Sequence, residues 1–139
     1  MNDQYNLQRF VTAQQTVFDI VREELSAGRK RSHWMWFIFP QIQGLGHSEM
    51  ASRYAISSLD EAKVYLAHPL LGPRLLECSR LVEAVDGRSI EDIFGYPDYM
   101  KFQSSMTLFA KAANGNQVFN DCLQKYFEGE PDQSTLGKL

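Results

Sequence analysis

Apolar residues recur every three or four positions along most of this 139-residue chain, which is the spacing of one face of an α-helix. Between residues 7 and 27 the apolar positions include Phe10, Val21 and Leu25, and Gly28 follows as a natural helix stop. A half-buried sheet needs a sustained alternation of apolar and polar residues, and the sequence has no such stretch. The pattern therefore predicts a mainly α fold.

Further segments combine the same spacing with a capping residue at the start or with glycine or proline at the end. They are residues 48–56, 58–68, 70–85, 89–94, 97–113 and 117–127, and Asp132 is a candidate cap for a last short helix. Residues 34–39 are apolar throughout and could instead form a buried strand. We expect one domain, residues 1–139, with six or seven helices around a single core.

Charge and cysteine content exclude several classes of protein. Fourteen basic and seventeen acidic residues give a net charge of −3, so no overall positive field favours nucleic acid as a partner. The basic run Arg29 to Arg31 is interpreted as a solvated loop in preference to a phosphate-binding segment. Cys78 and Cys122 lie far apart without the spacing of a metal site or a disulfide framework, so no metal and no cofactor is expected.

Targeting segments are not indicated by the sequence. The first ten residues are polar, and the longest strongly apolar run stops at Pro40, which is too short for a signal peptide or a membrane span. We expect a cytoplasmic protein that does not associate with membranes. The sequence leaves the oligomeric state open.

The stretch HWMWFIFPQIQGLGHSEM, residues 33–50, is the strongest candidate for a ligand site. Trp34 and Trp36 offer flat faces for a base or a sugar ring. Gly44 and Gly46 allow the backbone to approach a ligand closely, and the free amide groups of a helix beginning near Ser48 suit an anion. These features predict a nucleotide-sized site, although an aromatic run of this kind also suits a buried core.

Three titratable side chains accompany this stretch. His33 and His47 are candidate ligand-binding residues and proton donors, with a hydrogen-bonded structural role as the alternative. Glu49 is a candidate catalytic residue because a carboxylate facing a tryptophan pocket can act as an acid or a base. Its alternative role is to compensate the helix dipole.

A second candidate group lies in the stretch YPDYMKFQSS. On a helix, Asp98, Lys101 and Ser105 share one stripe, opposite the apolar face of the same helix. Lys101 and Ser105 would contact an anionic ligand, and Asp98 would orient a hydroxyl group or a water molecule. The alternative is a helix cap with a surface ion pair.

Long blocks of the sequence resemble a known family. SHWMWFIFPQIQGLGHSEMASRYAI, EAKVYLAHPLLGPRLLE, IFGYPDYMKFQSSMTLFA and the terminal CLQKYFEGEPDQSTLGKL resemble the signature blocks of the bacterial domain-of-unknown-function family numbered 1810. Some members of that family carry a calpastatin-like label. The resemblance implies a mainly helical single domain, whereas calpastatin is a disordered repeated chain unlike this globular composition.

A fainter similarity links the chain to the helical NADAR superfamily of hydrolases that act on ADP-ribose-related N-glycosidic bonds. That superfamily typically has Glu-His-Tyr followed by a lysine. Glu49 matches the glutamate, whereas Met50 and Ala51 replace the histidine and tyrosine. The similarity implies a catalytic role for Glu49 alone.

Two functions follow as expectations. The first is a metal-independent hydrolase of an N-glycosidic or ADP-ribosyl bond in a nucleotide-like small molecule. Glu49 would activate water or stabilise positive charge on the sugar, because the oxocarbenium-like transition state needs a nearby carboxylate. The alternative is a non-catalytic module that binds a nucleotide or a partner protein through the same aromatic surface.

Overall fold

The computed structural model of the protein describes residues 3–139, and this part of the chain is mainly helical, as predicted. Its helices, in chain order, are α1 (Gln8–Gln15), α2 (Phe18–Ser26), α3 (Met35–Ile38), α4 (Glu49–Arg53), α5 (Leu59–Ala67), α6 (Leu71–Glu83), α7 (Ile90–Phe94), α8 (Asp98–Ala112), α9 (Val118–Phe127) and α10 (Gln133–Leu136). The described residues thus form ten helices and not the six or seven predicted. None of these helices is long and apolar enough to cross a membrane.

The first predicted helix is in fact two, which accounts for part of the difference. The chain leaves the helix after Gln15 and re-enters it at Phe18. The break follows from packing, since α1 packs against α3 and α2 packs against α6. Gln14, next to the break, is buried and donates a hydrogen bond from Nε2 to the carbonyl of Phe37 at 2.7 Å. Such tertiary contacts override the helical periodicity of the segment.

The apolar run at residues 34–39 forms the single turn α3 and not a strand. Four residues after the end of α3, Ile42 forms an isolated parallel bridge with Ile56. The amide of Gln43 donates to the carbonyl of Ile56 at 2.8 Å, and the amide of Ile56 donates to the carbonyl of Gln41 at 2.9 Å. No longer β-pairing occurs within residues 3–139. The bridge fixes the glycine-containing loop, residues 41–46, beside the segment that follows α4.

Helix α8 lies at the centre of the fold, in contact with α5, α7, α9 and α10. It is buried on most sides, so the predicted division into an apolar face and an opposite polar stripe that includes Ser105 is wrong. Ser105 is fully buried, and its hydroxyl group has no hydrogen-bond partner among the described residues. Other helices pack around α8, so it has no continuous polar face toward solvent.

Three predicted helix starts are confirmed, each at a serine that caps the helix following it. The hydroxyl groups of Ser48, Ser58 and Ser89 accept hydrogen bonds from the third residue of α4, α5 and α7, respectively. Only α7 has the complete capping box, in which Asp92 also accepts from the amide of Ser89. In α5 the carboxylate of Glu61 instead accepts hydrogen bonds from Ser57 and pairs with Arg9.

Candidate ligand-binding site

A cavity of about 650 Å³ opens beside the glycine-containing loop, at residues 41–46. This volume falls within the range of small-molecule sites. Four parts of the chain form its walls: α3, the loop, the segment 51–57 and, through Lys138, the C-terminal segment (residues 132–139). The aromatic and polar side chains among the lining residues are Trp36, Gln41, Gln43, Ser52, Tyr54, Ser57 and Lys138.

Two glycines shape the loop by making room for other parts of the protein. Gly44 has a φ of +93°, and a Cβ atom there would lie 3.0 Å from the Nζ atom of Lys138. A Cβ atom on Gly46 would lie 2.6 Å from the Cβ atom of Ala51. The sequence predicted a close approach of this backbone to a ligand, whereas the atoms next to the two glycines belong to Lys138 and to Ala51 of α4.

The two tryptophans have different environments. Trp34 is 1% exposed, and its Nε1 atom donates a hydrogen bond to the carboxylate of Glu24 at 2.9 Å. Trp36 is partly exposed and lines the cavity. The ring of Trp34 therefore lies in the core, whereas that of Trp36 faces the cavity.

The cavity contains one charged side chain, that of Lys138, among its described lining residues. This ammonium group makes no ion pair with any residue from 3 to 139. The side chains of Gln41, Gln43 and Ser52 make no hydrogen bonds within the same part of the chain. The cavity therefore offers one cation and several polar groups that are not committed to internal partners.

Lys138 is positioned by a polar cluster at the start of α10. The carboxylate of Asp132 accepts hydrogen bonds from the hydroxyl groups of Ser104 at 2.8 Å and Thr135 at 2.5 Å. The amide of Asp132 donates to the hydroxyl group of Thr107 at 2.8 Å. The amide of Lys138 in turn donates to the carbonyl of Thr135 at 3.0 Å. These contacts attach the C-terminal segment to α8.

A buried carboxylate lies behind one wall of the cavity. The hydroxyl group and the amide of Ser57 donate to Oε1 of Glu61 at 2.7 and 2.9 Å. Glu61 is 2% exposed and forms an ion pair with Arg9 at 3.1 Å. Arg9 also donates to backbone carbonyls on both sides of this contact. The carboxylate therefore joins α1 to α5, and it does not line the cavity.

Of the residues predicted between α3 and the start of α4, Gly44 and Gly46 line the cavity. The predicted polar and titratable side chains of this region lie outside it. The side chain of Glu49 is 85% exposed and pairs with Arg53 at 3.1 Å. Ser48 caps α4 through its hydroxyl group. His33 and His47 are exposed, and neither lines the cavity.

The predicted residues of α8 are also separate from the cavity. Asp98 forms ion pairs with Lys30 at 2.9 Å and with Lys101 at 3.7 Å. The Nζ atom of Lys101 lies 5.5 Å from the ring centroid of Trp36, so this lysine approaches the aromatic wall without lining the cavity. Ser105 lies in the core.

Sequence reasoning missed Gln41, Gln43, Tyr54 and Lys138. The alternation of Gln41, Ile42 and Gln43 was the one available signal, because alternate residues of an extended segment point to the same side. Lys138 carried no signal, since its place in the cavity depends on a contact with the distant residue Gly44.

Comparisons with known proteins agree with the resemblance seen in the sequence. The model of a family described as a protein of unknown function, DUF1810, matches residues 4–139. The chain is also similar to the conserved hypothetical protein Rv1873 from Mycobacterium tuberculosis, known from a crystal structure. The two are 59% identical with a TM-score of 0.97, over 99% of this chain and 98% of that chain. A search of curated proteins gave no match.

Proposed function

The chain belongs to the DUF1810 family, and we propose that its cavity binds a nucleotide-like small molecule that carries an anionic group. A ring of the ligand stacks on Trp36, and the anionic group contacts Lys138. One observation carries the proposal: an aromatic face, an unpaired ammonium group and uncommitted amide side chains line the same cavity of about 650 Å³.

The aromatic wall supports the ring of the ligand. Trp36 stays partly exposed although the neighbouring residues of α3 are buried. A solvent-accessible indole costs the protein part of the stabilisation that burial would provide. Stacking of a base on such a face contributes about 1–3 kcal/mol, which is a large part of the affinity of a small ligand.

The charge of the cavity supports an anionic ligand. The chain has a net charge of −3, whereas the described lining of the cavity contributes one positive charge and no negative charge. An ammonium group binds phosphate as a compact point charge with three donors. A neutral nucleoside would lack this contact.

The two glutamines support recognition of a base or sugar edge. The bridge between Ile42 and Ile56 holds this segment extended, so Gln41 and Gln43 point to the same side. Each amide group offers both donors and an acceptor. Together they can pair with the mixture of hydrogen-bond donors and acceptors on the edge of a heterocyclic ring or a ribose.

The geometry supports binding more directly than hydrolysis. Hydrolysis of an N-glycosidic bond needs a carboxylate beside the sugar, and none lines the cavity within the described residues. The proposed catalytic residue Glu49 points outward and pairs with Arg53. The function proposed is therefore that of a binding module.

A thermal-shift screen tests this proposal. The ligands are AMP, NAD, ADP-ribose and ribose 5-phosphate, with adenosine as the neutral comparison. A ligand that binds only the folded state raises the melting temperature as its concentration increases, and we expect this for the phosphorylated nucleotides. The proposal is wrong if no nucleotide changes the melting temperature and calorimetric titration also detects no binding.

The variant Glu49→Gln separates binding from hydrolysis. We expect it to bind the same nucleotides with unchanged affinity, since Glu49 lies outside the cavity. The assay incubates wild type and variant with NAD and ADP-ribose and follows release of the base or ribose by chromatography. Turnover by wild type that the variant loses would establish the hydrolase instead.

A further inference from the structure

A second hollow, of about 480 Å³, contains three arginine side chains. Arg29 and Arg31 follow α2, and Arg88 precedes α7. The hollow shares no lining residue with the cavity beside Gly44. We propose that it is a second binding site, which takes the phosphate group of a small phosphorylated molecule.

The basic run at residues 29–31 has two faces. Lys30 turns inward: its side chain is 9% exposed and pairs with Asp98 at 2.9 Å. Its Nζ atom also lies 5.2 Å from the ring centroid of Trp34. Arg29 and Arg31 line the hollow. The interpretation as a solvated loop therefore does not hold for Lys30, whereas Arg29 and Arg31 are exposed and line the same hollow.

Arg88 is held in the hollow by backbone carbonyls. Its Nε atom donates to the carbonyl of Gly28 at 2.8 Å, and Nη2 donates to the carbonyl of Asp92 at 3.3 Å. Gly28 has a φ of +72°, and a Cβ atom there would lie 3.0 Å from Cδ of Arg88. The glycine thus leaves the room in which Arg88 lies.

Glu24 forms the other side of the hollow, and its carboxylate is bound by the loop that follows α2. Its Oε1 atom accepts hydrogen bonds from the amides of Arg31 and Ser32, and Oε2 accepts from the hydroxyl group of Ser32 at 2.6 Å. Burial opposes ionisation, but these bonds outweigh it and lower the pKa of Glu24 to about 2. The carboxylate is charged at neutral pH, and both oxygens are already engaged by the loop.

The guanidinium groups have no carboxylate partner. Among residues 3–139, none of the three arginines forms an ion pair. Three arginines and two glutamates, Glu23 and Glu24, line the hollow, so its net charge is +1. Cations held close together repel one another, and a bound anion relieves this repulsion.

The chemistry of the hollow selects a phosphate group on a small molecule. The fork of an arginine matches phosphate oxygens in a bidentate manner. A nucleic acid is disfavoured, because the two glutamates and the net charge of −3 repel a long polyanion. The volume of about 480 Å³ accommodates a small phosphorylated molecule.

The test follows backbone amide resonances by NMR while inorganic phosphate is added at constant ionic strength. We expect saturable shifts at residues 27–31 and at Arg88. Arg29→Gln and Arg31→Gln remove one charge each, and neither side chain makes a hydrogen bond to the described residues, so both variants should fold. Each should weaken phosphate binding by about tenfold, as expected for loss of a charge-assisted hydrogen bond.

Arg80→Gln is the matched control. Arg80 is exposed and lines a different hollow, with Glu83 and Asp121, so the variant removes the same charge from another place. Phosphate affinity in Arg80→Gln should equal that of wild type. The proposal is overturned if the shifts at residues 27–31 do not saturate, or if Arg29→Gln and Arg31→Gln bind phosphate as Arg80→Gln does. Saturable shifts around Lys138 alone would also overturn it, while leaving the proposed function intact.

Discussion

The ammonium group of Lys138 lies against the backbone of Gly44, at a distance where a Cβ atom on Gly44 would come within 3.0 Å of Nζ. The contact joins the C-terminal segment to the glycine-containing loop and closes one side of the cavity. A methyl group added at Gly44 would therefore change the contact between the loop and Lys138.

Gly44→Ala should weaken the binding of AMP and destabilise the protein. The added Cβ atom makes the Nζ atom of Lys138 shift by a few tenths of an ångström. The φ of +93° also strains any residue with a side chain, at a cost of about 1–3 kcal/mol. Gly115→Ala is the control, because Gly115 has a φ of +95° with open space around it. Chemical denaturation should show similar losses for both variants, whereas calorimetry should show weaker AMP binding only for Gly44→Ala. Equal AMP affinity in the two variants would contradict the role of the contact.

Lys138→Met should reduce AMP affinity by about tenfold and leave adenosine affinity unchanged. The substitution keeps most of the aliphatic chain and removes the ammonium group that contacts the phosphate, a contact of about 1.5–3 kcal/mol. Lys111→Met is the control, since Lys111 is an exposed lysine of α8 outside the cavity. Calorimetric titrations at low salt give the comparison. A parallel loss of AMP and adenosine affinity would show that Lys138 does not contact the phosphate.

Asp132→Ala should weaken AMP binding although Asp132 does not line the cavity. The variant removes the acceptor that joins Ser104 and Thr135, so the segment that positions Lys138 loosens. We expect a stability loss of about 1–3 kcal/mol, because the buried hydroxyl group of Thr135 loses its acceptor, whereas that of Ser104 keeps the carbonyl of Met100. The informative measurement is a double-mutant cycle with Lys138→Met. If Asp132 acts through Lys138, its loss costs no further AMP affinity in that background. Full additivity of the two effects on AMP affinity would argue against a positioning role.

Glu24→Gln should destabilise the protein at neutral pH and progressively less in acid. The pKa of Glu24 is lowered from about 4.5 to about 2 in the folded protein, so the ionised carboxylate contributes stability that is complete above pH 4.5. This contribution is lost as the pH falls toward 2. The difference in unfolding free energy between wild type and variant should therefore shrink across that window. A pH-independent difference between wild type and Glu24→Gln would contradict the assignment.

Local signals in the sequence predicted the helix starts correctly. Ser48, Ser58 and Ser89 each cap a helix through a hydrogen bond to a residue three positions later, so neighbouring residues alone determine them. The break between α1 and α2 was not predictable in this way. It depends on the packing of α1 on α3 and of α2 on α6, and the intervening residues keep the helical spacing.

The candidate site was predicted in part. The sequence located the loop with Gly44 and Gly46 and the aromatic wall, because both lie within one short stretch. It did not show that Trp34 is buried and that Trp36 lines the cavity, since an aromatic run of this kind suits both a core and a cavity. It also missed Lys138, because only the folded chain brings the C-terminal segment to the loop.

The indole N–H resonances of the two tryptophans give the most direct test of the proposed function. The protein has only Trp34 and Trp36, and Trp36→Phe assigns their signals. During titration with AMP we expect the Trp36 resonance to shift until it saturates, while the Trp34 resonance, whose N–H group donates to Glu24 in the core, stays in place. If the Trp36 resonance does not move, or if both resonances move alike, the ligand does not bind in the cavity beside Gly44.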